Sequence, residues 1–261
     1  MKPFSNQRCA THCLVATILL FLISCAPSGI IQPPADRPSR DELILQLNLG
    51  VSEFRTIRGM AKSTYRQNGG RQSARQVVLA QYPDKLRLET LGLFGSPVLI
   101  AATDGKQSTV LLPGEGRAYT GSSDSGFLSQ FLHLPLTSED IIAIILLRPE
   151  LIVWQNADIS YLDTGISRLI LTAGRVKQEI DFNQNRQIVR IASYSDGTMQ
   201  IGIHYDDYVD AFPRSLKLQL PLRLIEASLN FSDIELNIDH KEGLFKLVPP
   251  AEYVVEPIPA I

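Results

Sequence analysis

From Arg55 onward the sequence consists of short segments of alternating polarity separated by turn signals, and this pattern constrains the fold most strongly. Signals such as Asn68-Gly69-Gly70 and Asp196-Gly197 recur every ~8–12 residues, which is typical of antiparallel strands joined by hairpins. We therefore expect one large antiparallel sheet. The predicted strands are SARQVVLAQY, KLRLETL, PVLIAAT, STVLL, ADISYL, SRLILTA, RVKQEIDF, QIVRIASY, MQIGIHY, SLKLQL and LIEASLNFSDIEL.

A helix is predicted before the strands, over residues 40–54. Ser39 and Glu42 have the spacing of a capping box, in which each side chain accepts a hydrogen bond from the other residue's backbone amide. The apolar residues that follow have the spacing of one helical face. They are Leu43, Leu47, Val51 and Phe54, with Ile44 beside them.

A second helical region interrupts the strands. The segment SGFLSQFLHL is followed by Thr137-Ser138-Glu139-Asp140, which is a typical helix start, and Pro149 ends the helix that begins there. Because residues 141–147 are apolar on all sides, this helix is expected to be buried between layers. The element order predicts an α+β fold: a strongly curved antiparallel sheet, open as a half-barrel of about eleven strands, with helices covering the concave face.

The first 24 residues have the composition of a signal peptide. Lys2 and Arg8 provide a positive start, Leu14–Ile23 is an apolar run, and Ser24 is the small residue that cleavage requires. A membrane-spanning helix needs about 20 apolar residues, so this run is too short to span. We therefore expect a secretion signal over residues 1–24.

The end of this signal, Leu22-Ile23-Ser24-Cys25, resembles the bacterial lipobox. The resemblance implies that the Cys25 thiol receives a diacylglycerol and becomes the first residue of the mature chain; an ordinary secretory signal that happens to contain Cys25 is the alternative. Several acyl chains would anchor the protein almost irreversibly. Ala26 after the cysteine resembles the sorting pattern of outer-membrane lipoproteins, which predicts a lipid-anchored protein that faces the periplasm.

Composition limits the remaining classes of function. Residues 25–39 are rich in proline and are expected to form an extended tether. Loss of Lys2 and Arg8 with the signal changes the net charge from −2 to −4, which argues against nucleic acid as a partner. Because Cys9 and Cys13 leave with the signal, we expect no disulfide framework and no thiolate site.

Residues with catalytic or metal-binding chemistry are scattered. His133, His204 and His240 have no metal-ligand spacing, and His204 with Asp206 would give only half a site. The sequence has no nucleophile elbow, and GEGR at 114–117 lacks the strand-to-helix context of a phosphate loop. We expect no enzyme, no metal and no cofactor.

The turn LGLFGSP at 91–97 is unusually apolar. Leu93 and Phe94 lie between Gly92 and Gly95, at a hairpin tip where polar residues are normal. Either both side chains fold back into the core, or they form an apolar prong that enters a membrane or a lipid-bearing partner.

The order of these segments resembles the LolB family and its less characterised bacterial relatives, within the LolA/LolB lipoprotein-carrier fold. The lipobox, the first helix, the apolar hairpin tip, LPLTSEDIIAIIL, SLNFSDIEL and LFKLVPP carry the resemblance, which covers residues 40–250. It implies an open half-barrel whose apolar cavity holds acyl chains. By position, Leu93 with Phe94 corresponds to the family's exposed leucine loop.

The resemblance also implies a function without catalytic residues. A monomer anchored in the outer membrane would accept lipoproteins from a periplasmic LolA-like carrier, bind their acyl chains and insert them into the bilayer. The alternative is a lipid-binding or regulatory lipoprotein of the same fold that transfers nothing. The sequence departs from the family at the tip, which has no proline before its leucine, and in the extended C-terminal tail at 251–261, where Pro257 and Pro259 suggest that it covers a groove or binds a partner.

Overall fold

The computed structural model describes residues 37–50, 53–123, 127–148, 150–162, 164–241 and 243–258. The signal peptide, Cys25 and nearly all of the tether lie outside this set, so what the sequence predicts for them stays a prediction. Every element described below belongs to one unit, which begins at Pro38.

The sheet has fourteen strands, so the prediction of about eleven was wrong. The eleven predicted segments all form strands, and β1, β6 and β14 were missed because few large apolar residues alternate along them. The strands are β1 Thr56–Gln67, β2 Gly70–Gln81, β3 Lys85–Leu91, β4 Pro97–Asp104, β5 Gln107–Leu112, β6 Arg117–Ser122, β7 Asn156–Tyr161, β8 Ser167–Ala173, β9 Val176–Phe182, β10 Ile188–Ser195, β11 Thr198–Val209, β12 Phe212–Leu220, β13 Ile225–Leu236 and β14 Val254–Pro257.

These strands form a single curved, unclosed sheet in the order β14-β6-β5-β4-β3-β2-β1-β13-β12-β11-β10-β9-β8-β7. The meander β1–β6 and the meander β7–β13 meet where β1 pairs with β13, with Ala61 opposite Phe231. Neighbouring strands in the described chain are antiparallel except β6 and β14, which are parallel. This central seam brings side chains from both ends of the sequence onto one surface.

The first helix, α1, spans Arg40–Gly50 and confirms the predicted start. The Ser39 backbone amide donates to Glu42 Oε2 at 2.7 Å, and the Glu42 amide donates to Ser39 Oγ at 3.3 Å. Leu43 and Leu47 are buried as expected. Phe54 lies beyond the helix and packs edge-on against Phe212 at 5.1 Å, so its placement on the helical face was wrong.

Two further helices lie between the meanders: α2 spans Phe127–Leu132 and α3 spans Ser138–Ile145. Thr137 caps α3 and forms a second capping box with Asp140, in which the Asp140 amide donates to Thr137 Oγ1 at 3.1 Å. Ile142 is buried against the β1–β6 half, whereas Ile144 packs against the β8–β13 half. α3 therefore contacts both halves of the apolar core, whereas its burial between layers stays a prediction.

The apolar core has two clusters on one face of the sheet, which we call the inner face. The first cluster joins β1–β5 to α3, and the second joins β8–β13 to α1. Leu229, Leu136 and Leu147 contact both clusters, which makes the core continuous across the seam. Each fully buried Leu, Ile or Phe contributes roughly 1.5–3 kcal/mol to folding. That the inner face is the concave one stays a prediction.

The chain after β13 crosses the opposite face, which we call the outer face. Arg87 alternates with inward-facing Leu86 and Leu88, and it donates from Nη1 to the Leu244 carbonyl at 2.9 Å. Phe245 is buried there. Beyond it, β14 pairs with β6, and the Ile258 amide donates to the Thr120 carbonyl at 3.1 Å. Within the predicted tail, Val254–Pro257 therefore continues the sheet as β14.

Candidate functional site

The inner face carries an apolar cavity of about 140 Å³ beside α3, at the seam between the two meanders. Its roof consists of α3 and the segment before it, and its floor consists of β1, β12, β13 and their neighbours. Small side chains on the central strands, such as Ser63 and Ala227, leave this space unfilled. The larger apolar lining residues are Leu88, Leu132, Leu134, Leu136, Ile141, Ile144, Ile145, Leu216, Leu218 and Leu229.

A second cavity of about 200 Å³ lies against β9–β11. Ile191, Ile201 and Ile203 provide apolar walls, while Arg148 and Gln178 make part of the lining polar. Both cavities are lined by Leu136 and Ile144. These two side chains therefore lie between the two cavities.

Two tyrosine hydroxyls attach this roof to the sheet. Tyr65 Oη on β1 has two acceptors for its one proton, the His133 carbonyl at 3.1 Å and Gln67 Oε1 at 3.0 Å, and Tyr205 Oη on β11 donates to the Ile144 carbonyl at 3.0 Å. Burial raises the pKa of the Tyr205 hydroxyl far above its ordinary value, so it stays protonated as a donor. We call residues 127–147 the lid segment, because these contacts hold it over both cavities.

Residues with positive φ angles lie at both ends of the part of the lid segment that contains α3. His133 has φ 56° and Leu147 has φ 54°, both in the left-handed region that residues with a Cβ seldom adopt. A leucine in this region is unusual, and its side chain contacts both core clusters. The conformation at Leu147 is thus maintained by packing rather than by local preference.

The size of the first cavity limits what it holds in this conformation. An apolar cavity of about 150 Å³ accommodates one benzene molecule. The 140 Å³ here therefore fits about six carbon atoms, which is a fraction of a long acyl chain.

The hairpin between β3 and β4 exposes its apolar tip. Leu93 is 95% exposed and Phe94 is 97% exposed, so the alternative that both side chains fold back into the core is wrong. The Gly92 amide donates to the Ser96 carbonyl at 2.9 Å, which closes the turn. Gly95 has φ 83°, a conformation that favours glycine. The tip therefore presents two large apolar side chains to the surroundings.

The predicted polar candidates do not converge. Burial, together with the nearby cations Arg190 and Lys217, lowers the pKa of His204, and burial also lowers the pKa of His240. His133 lies in the lid, away from both. In the described ranges no three His, Cys, Asp or Glu side chains come close enough to hold a metal ion. Cys25 lies outside the described residues.

A charged network on the outer face of β8–β10 has a structural explanation. Arg168 binds Asp181 with two hydrogen bonds of 2.6 and 2.8 Å, and Arg190 contacts Glu179 Oε2 at 3.1 Å. Burial alone would raise the pKa of Glu179, but hydrogen bonds from Lys177 and Arg190 lower it overall. The cations already neutralise both carboxylates, so the network stabilises the sheet.

Sequence reasoning predicts an apolar cavity but missed the residues that line it and the tyrosine contacts beside it. Alternation identifies which residues face inward along one strand, but it does not identify which strands meet across the seam. The apolar run of α3 and the small residues Ser63 and Ala227 were the available signals. In the part of the chain that the structure covers, no helix has the length and apolar character needed to cross a membrane.

Comparison with solved structures supports the fold. A DUF1329 family protein from Desulfovibrio piger is 13% identical, with a TM-score of 0.54 over 78% of this chain and 94% of that chain. A LolA superfamily protein from Nitrosomonas europaea is 13% identical, with a TM-score of 0.52 over 81% of this chain and 99% of that chain. No protein-family profile matches the sequence, and neither does any curated protein. The chain has a LolA-like fold.

Proposed function

We propose that this protein is a lipoprotein of the outer membrane, anchored through Cys25 and facing the periplasm, that binds the acyl chains of other lipoproteins beneath the lid segment. It accepts them from a periplasmic LolA-like carrier and inserts them into the bilayer, as in the LolB family. The observation that carries the proposal is the apolar cavity between α3 and the central seam, on a LolA-like fold.

The chemistry needs no catalytic residue. An acyl chain leaves one apolar environment and enters another, so transfer requires only affinities that increase from donor to membrane. Each buried methylene contributes about 0.8 kcal/mol. The six carbons that fit beside α3 would contribute about 5 kcal/mol, well below the gain from burying a complete chain in a bilayer. The cargo therefore continues to the membrane without an energy source.

The tip at Leu93 and Phe94 has the character of a membrane-entry element. Its two apolar side chains are almost fully exposed, which is unfavourable in water. Their transfer into the acyl region of a membrane is favourable. In this proposal the tip enters the bilayer while the lid opens and releases the cargo.

A fluorescent fatty acid tests the cavity. In Ala227→Phe, a phenyl ring enters the space beside α3, and we expect the affinity for the fatty acid to fall at least tenfold. Thr198→Phe adds a ring at an exposed position on β11 and is the matched control, with affinity unchanged. Equal binding by both variants would contradict the proposal.

A transfer assay tests the tip. A lipoprotein loaded on a LolA-like carrier is mixed with vesicles, and Leu93→Glu with Phe94→Glu should stop insertion while the fold and fatty-acid binding are retained. Val153→Glu with Val248→Glu changes two other exposed apolar residues and should leave insertion intact. Insertion at the normal rate by the tip variant would instead favour a lipid-binding or regulatory protein that hands nothing on.

A further inference from the structure

The outer face carries a basic groove that the proposed function does not use. We define it by Lys62 and Arg66 on β1, Arg71 on β2 and Lys217 on β12, with Arg75 on β2 adjoining it. The groove has a volume of about 390 Å³ and runs across β2, β1, β13 and β12. Its polar floor includes Thr64, Ser228 and Asn230.

The cations outnumber the carboxylates in this groove. Among the residues that the structure describes, Glu226 is the one acidic residue that lines it, and it contacts Arg66 at 3.6 Å and Lys217 at 3.3 Å. Hydrogen bonds from Gln219 and Lys217 lower the pKa of Glu226, so it is ionised. Among the described carboxylates, none forms an ion pair with Lys62, Arg71 or Arg75, all of which are exposed.

The strand register makes this arrangement unfavourable in isolation. Arg66 lies directly opposite Arg71, and Lys62 lies directly opposite Arg75, on the same face of the β1–β2 hairpin. Like charges that face each other across antiparallel strands destabilise the pair. An anion in the groove would turn this repulsion into attraction, so the arrangement is suited to an anionic ligand.

An apolar turn lies at the end of the same groove. The short 3-10 helix Pro221–Arg223 joins β12 to β13, and Ile225 at its far side pairs with Gln67 next to the β1–β2 turn. Leu222 is 64% exposed and Leu224 is 69% exposed. Leu224 has φ 53°, so a left-handed backbone directs this leucine away from the core. The cationic groove thus ends in two exposed leucines.

The strand directions place this turn and the Leu93–Phe94 tip at one end of the sheet. β1 and β3 run in the same direction, and the turn after each lies at the end where β12 passes into β13. We call this the tip end. Two apolar projections and a basic groove therefore lie at or near the tip end, on different strands.

We propose that the basic groove binds the phosphate groups of anionic lipids, and that Leu222 and Leu224 enter the bilayer beside it. The protein thereby docks on an anionic membrane surface with its tip end. Exposed apolar side chains next to unpaired guanidinium groups match a lipid surface, which presents phosphate and hydrocarbon together. The chain has a net charge of −2, so the cationic groove differs in sign from the protein as a whole. The inference goes beyond the proposed function, because it concerns the membrane itself rather than the cargo.

Vesicle binding tests this docking surface. The full chain carrying Cys25→Ala in every sample, so that the anchor does not retain it, is mixed with vesicles of phosphatidylcholine alone or with added phosphatidylglycerol. We expect tighter binding to the anionic vesicles. Lys62→Gln with Arg71→Gln and Arg75→Gln should reduce this binding by up to ~100-fold at low salt, since each cation near an anionic surface contributes about a fivefold gain.

A charge-matched control keeps the test specific. Lys106→Gln with Arg214→Gln and Lys241→Gln removes three exposed cations outside the groove. This control variant should prefer anionic vesicles as strongly as the protein that carries only Cys25→Ala. Leu222→Ser with Leu224→Ser should weaken vesicle binding without changing the salt dependence. Circular dichroism and fatty-acid binding confirm that each variant is folded.

Two results would overturn the inference: equal binding to neutral and anionic vesicles, or equal losses in the groove and control variants. Binding of free inorganic phosphate by a protein that does not bind the anionic vesicles would also contradict it and would identify a site for small anions. Because fatty-acid binding is measured on the same samples, failure of the groove is distinguishable from failure of the cavity.

Discussion

Removal of the Tyr205 hydroxyl tests whether the lid segment must open for an acyl chain to enter. Tyr205 is buried, and it donates to the Ile144 carbonyl at the end of α3. Tyr205→Phe deletes this contact and leaves the ring in place. The Ile144 carbonyl keeps the Leu147 amide as a donor at 3.4 Å, so the substitution does not leave an acceptor without a partner.

The size of the effect follows from the strength of one hydrogen bond. A neutral bond of this kind contributes about 0.5–1.5 kcal/mol net, which corresponds to a change of about 2–12-fold in the ratio of open to closed lid. If only the open form admits the chain, the apparent dissociation constant falls by the same factor. Tyr65→Phe should add a smaller factor, because Gln67 Oε1 at 3.0 Å competes with the His133 carbonyl at 3.1 Å for the Tyr65 proton.

Stopped-flow binding of a fluorescent fatty acid measures both the rate and the affinity. The matched control is Tyr208→Phe, because the Tyr208 hydroxyl is also largely buried and donates to the Ile188 carbonyl, which is outside the lid. We expect faster and tighter binding for Tyr205→Phe and no change for Tyr208→Phe. Unchanged or weaker binding in Tyr205→Phe would refute the role of the lid.

Three further predictions concern stability. The pKa of Glu179 is lower in the folded chain than its unfolded value of 4.5, so its ion pairs stabilise the fold above pH 4.5 and are lost as the pH falls through the folded pKa. The free energy of unfolding in urea should therefore differ less between pH 7 and pH 4 for Glu179→Gln than for the unsubstituted protein. Ser39→Ala should lower the free energy of unfolding by about 1 kcal/mol by removing a cap of α1, and an unchanged urea midpoint would contradict this. In Gly121→Val the added Cβ would overlap with Ile258 Cδ1, so the Ile258 side chain must move away from β6, and hydrogen exchange at β14 should increase while β1–β5 stay protected.

Local signals in the sequence identify the helix starts and most of the strands. The two capping boxes, at Ser39 and Thr137, depend on residues three positions apart, so they can be recognised without the fold. The hairpin tip was also predictable, because Gly92 and Gly95 define a turn that has Leu93 and Phe94 between them. Their exposure removes the alternative of a buried tip.

The missed strands depend on neighbours that are distant in sequence. In β1 the inward positions include Gly59, Ala61 and Ser63, and these small residues lie opposite large ones such as Phe231 on β13. Gly59 needs its size, since a Cβ there would be 2.6 Å from the Asp233 carbonyl oxygen. A strand whose inward side chains are small, because they face bulky partners, does not show the alternation of large apolar and polar residues by which strands are recognised in a sequence.

The residues that line the cavity were unpredictable for the same physical reason. Its lining comes from α3, the segment before it and strands at both ends of the chain, and it exists because Ser63 and Ala227 are small where the lid leucines approach. The basic groove likewise joins β2 to β12, which are separated by more than a hundred residues. Only the pairing of β1 with β13 brings these residues together.

Native mass spectrometry of the protein, purified from cells without detergent, tests the central claim most directly. If the space beside α3 holds acyl chains, the spectrum contains a species whose added mass fragments to fatty acids, and this species is absent from Ala227→Phe but present in Thr198→Phe. A ligand-free spectrum for the unsubstituted protein after incubation with an acylated peptide, or equal occupancy in Ala227→Phe, would contradict the claim.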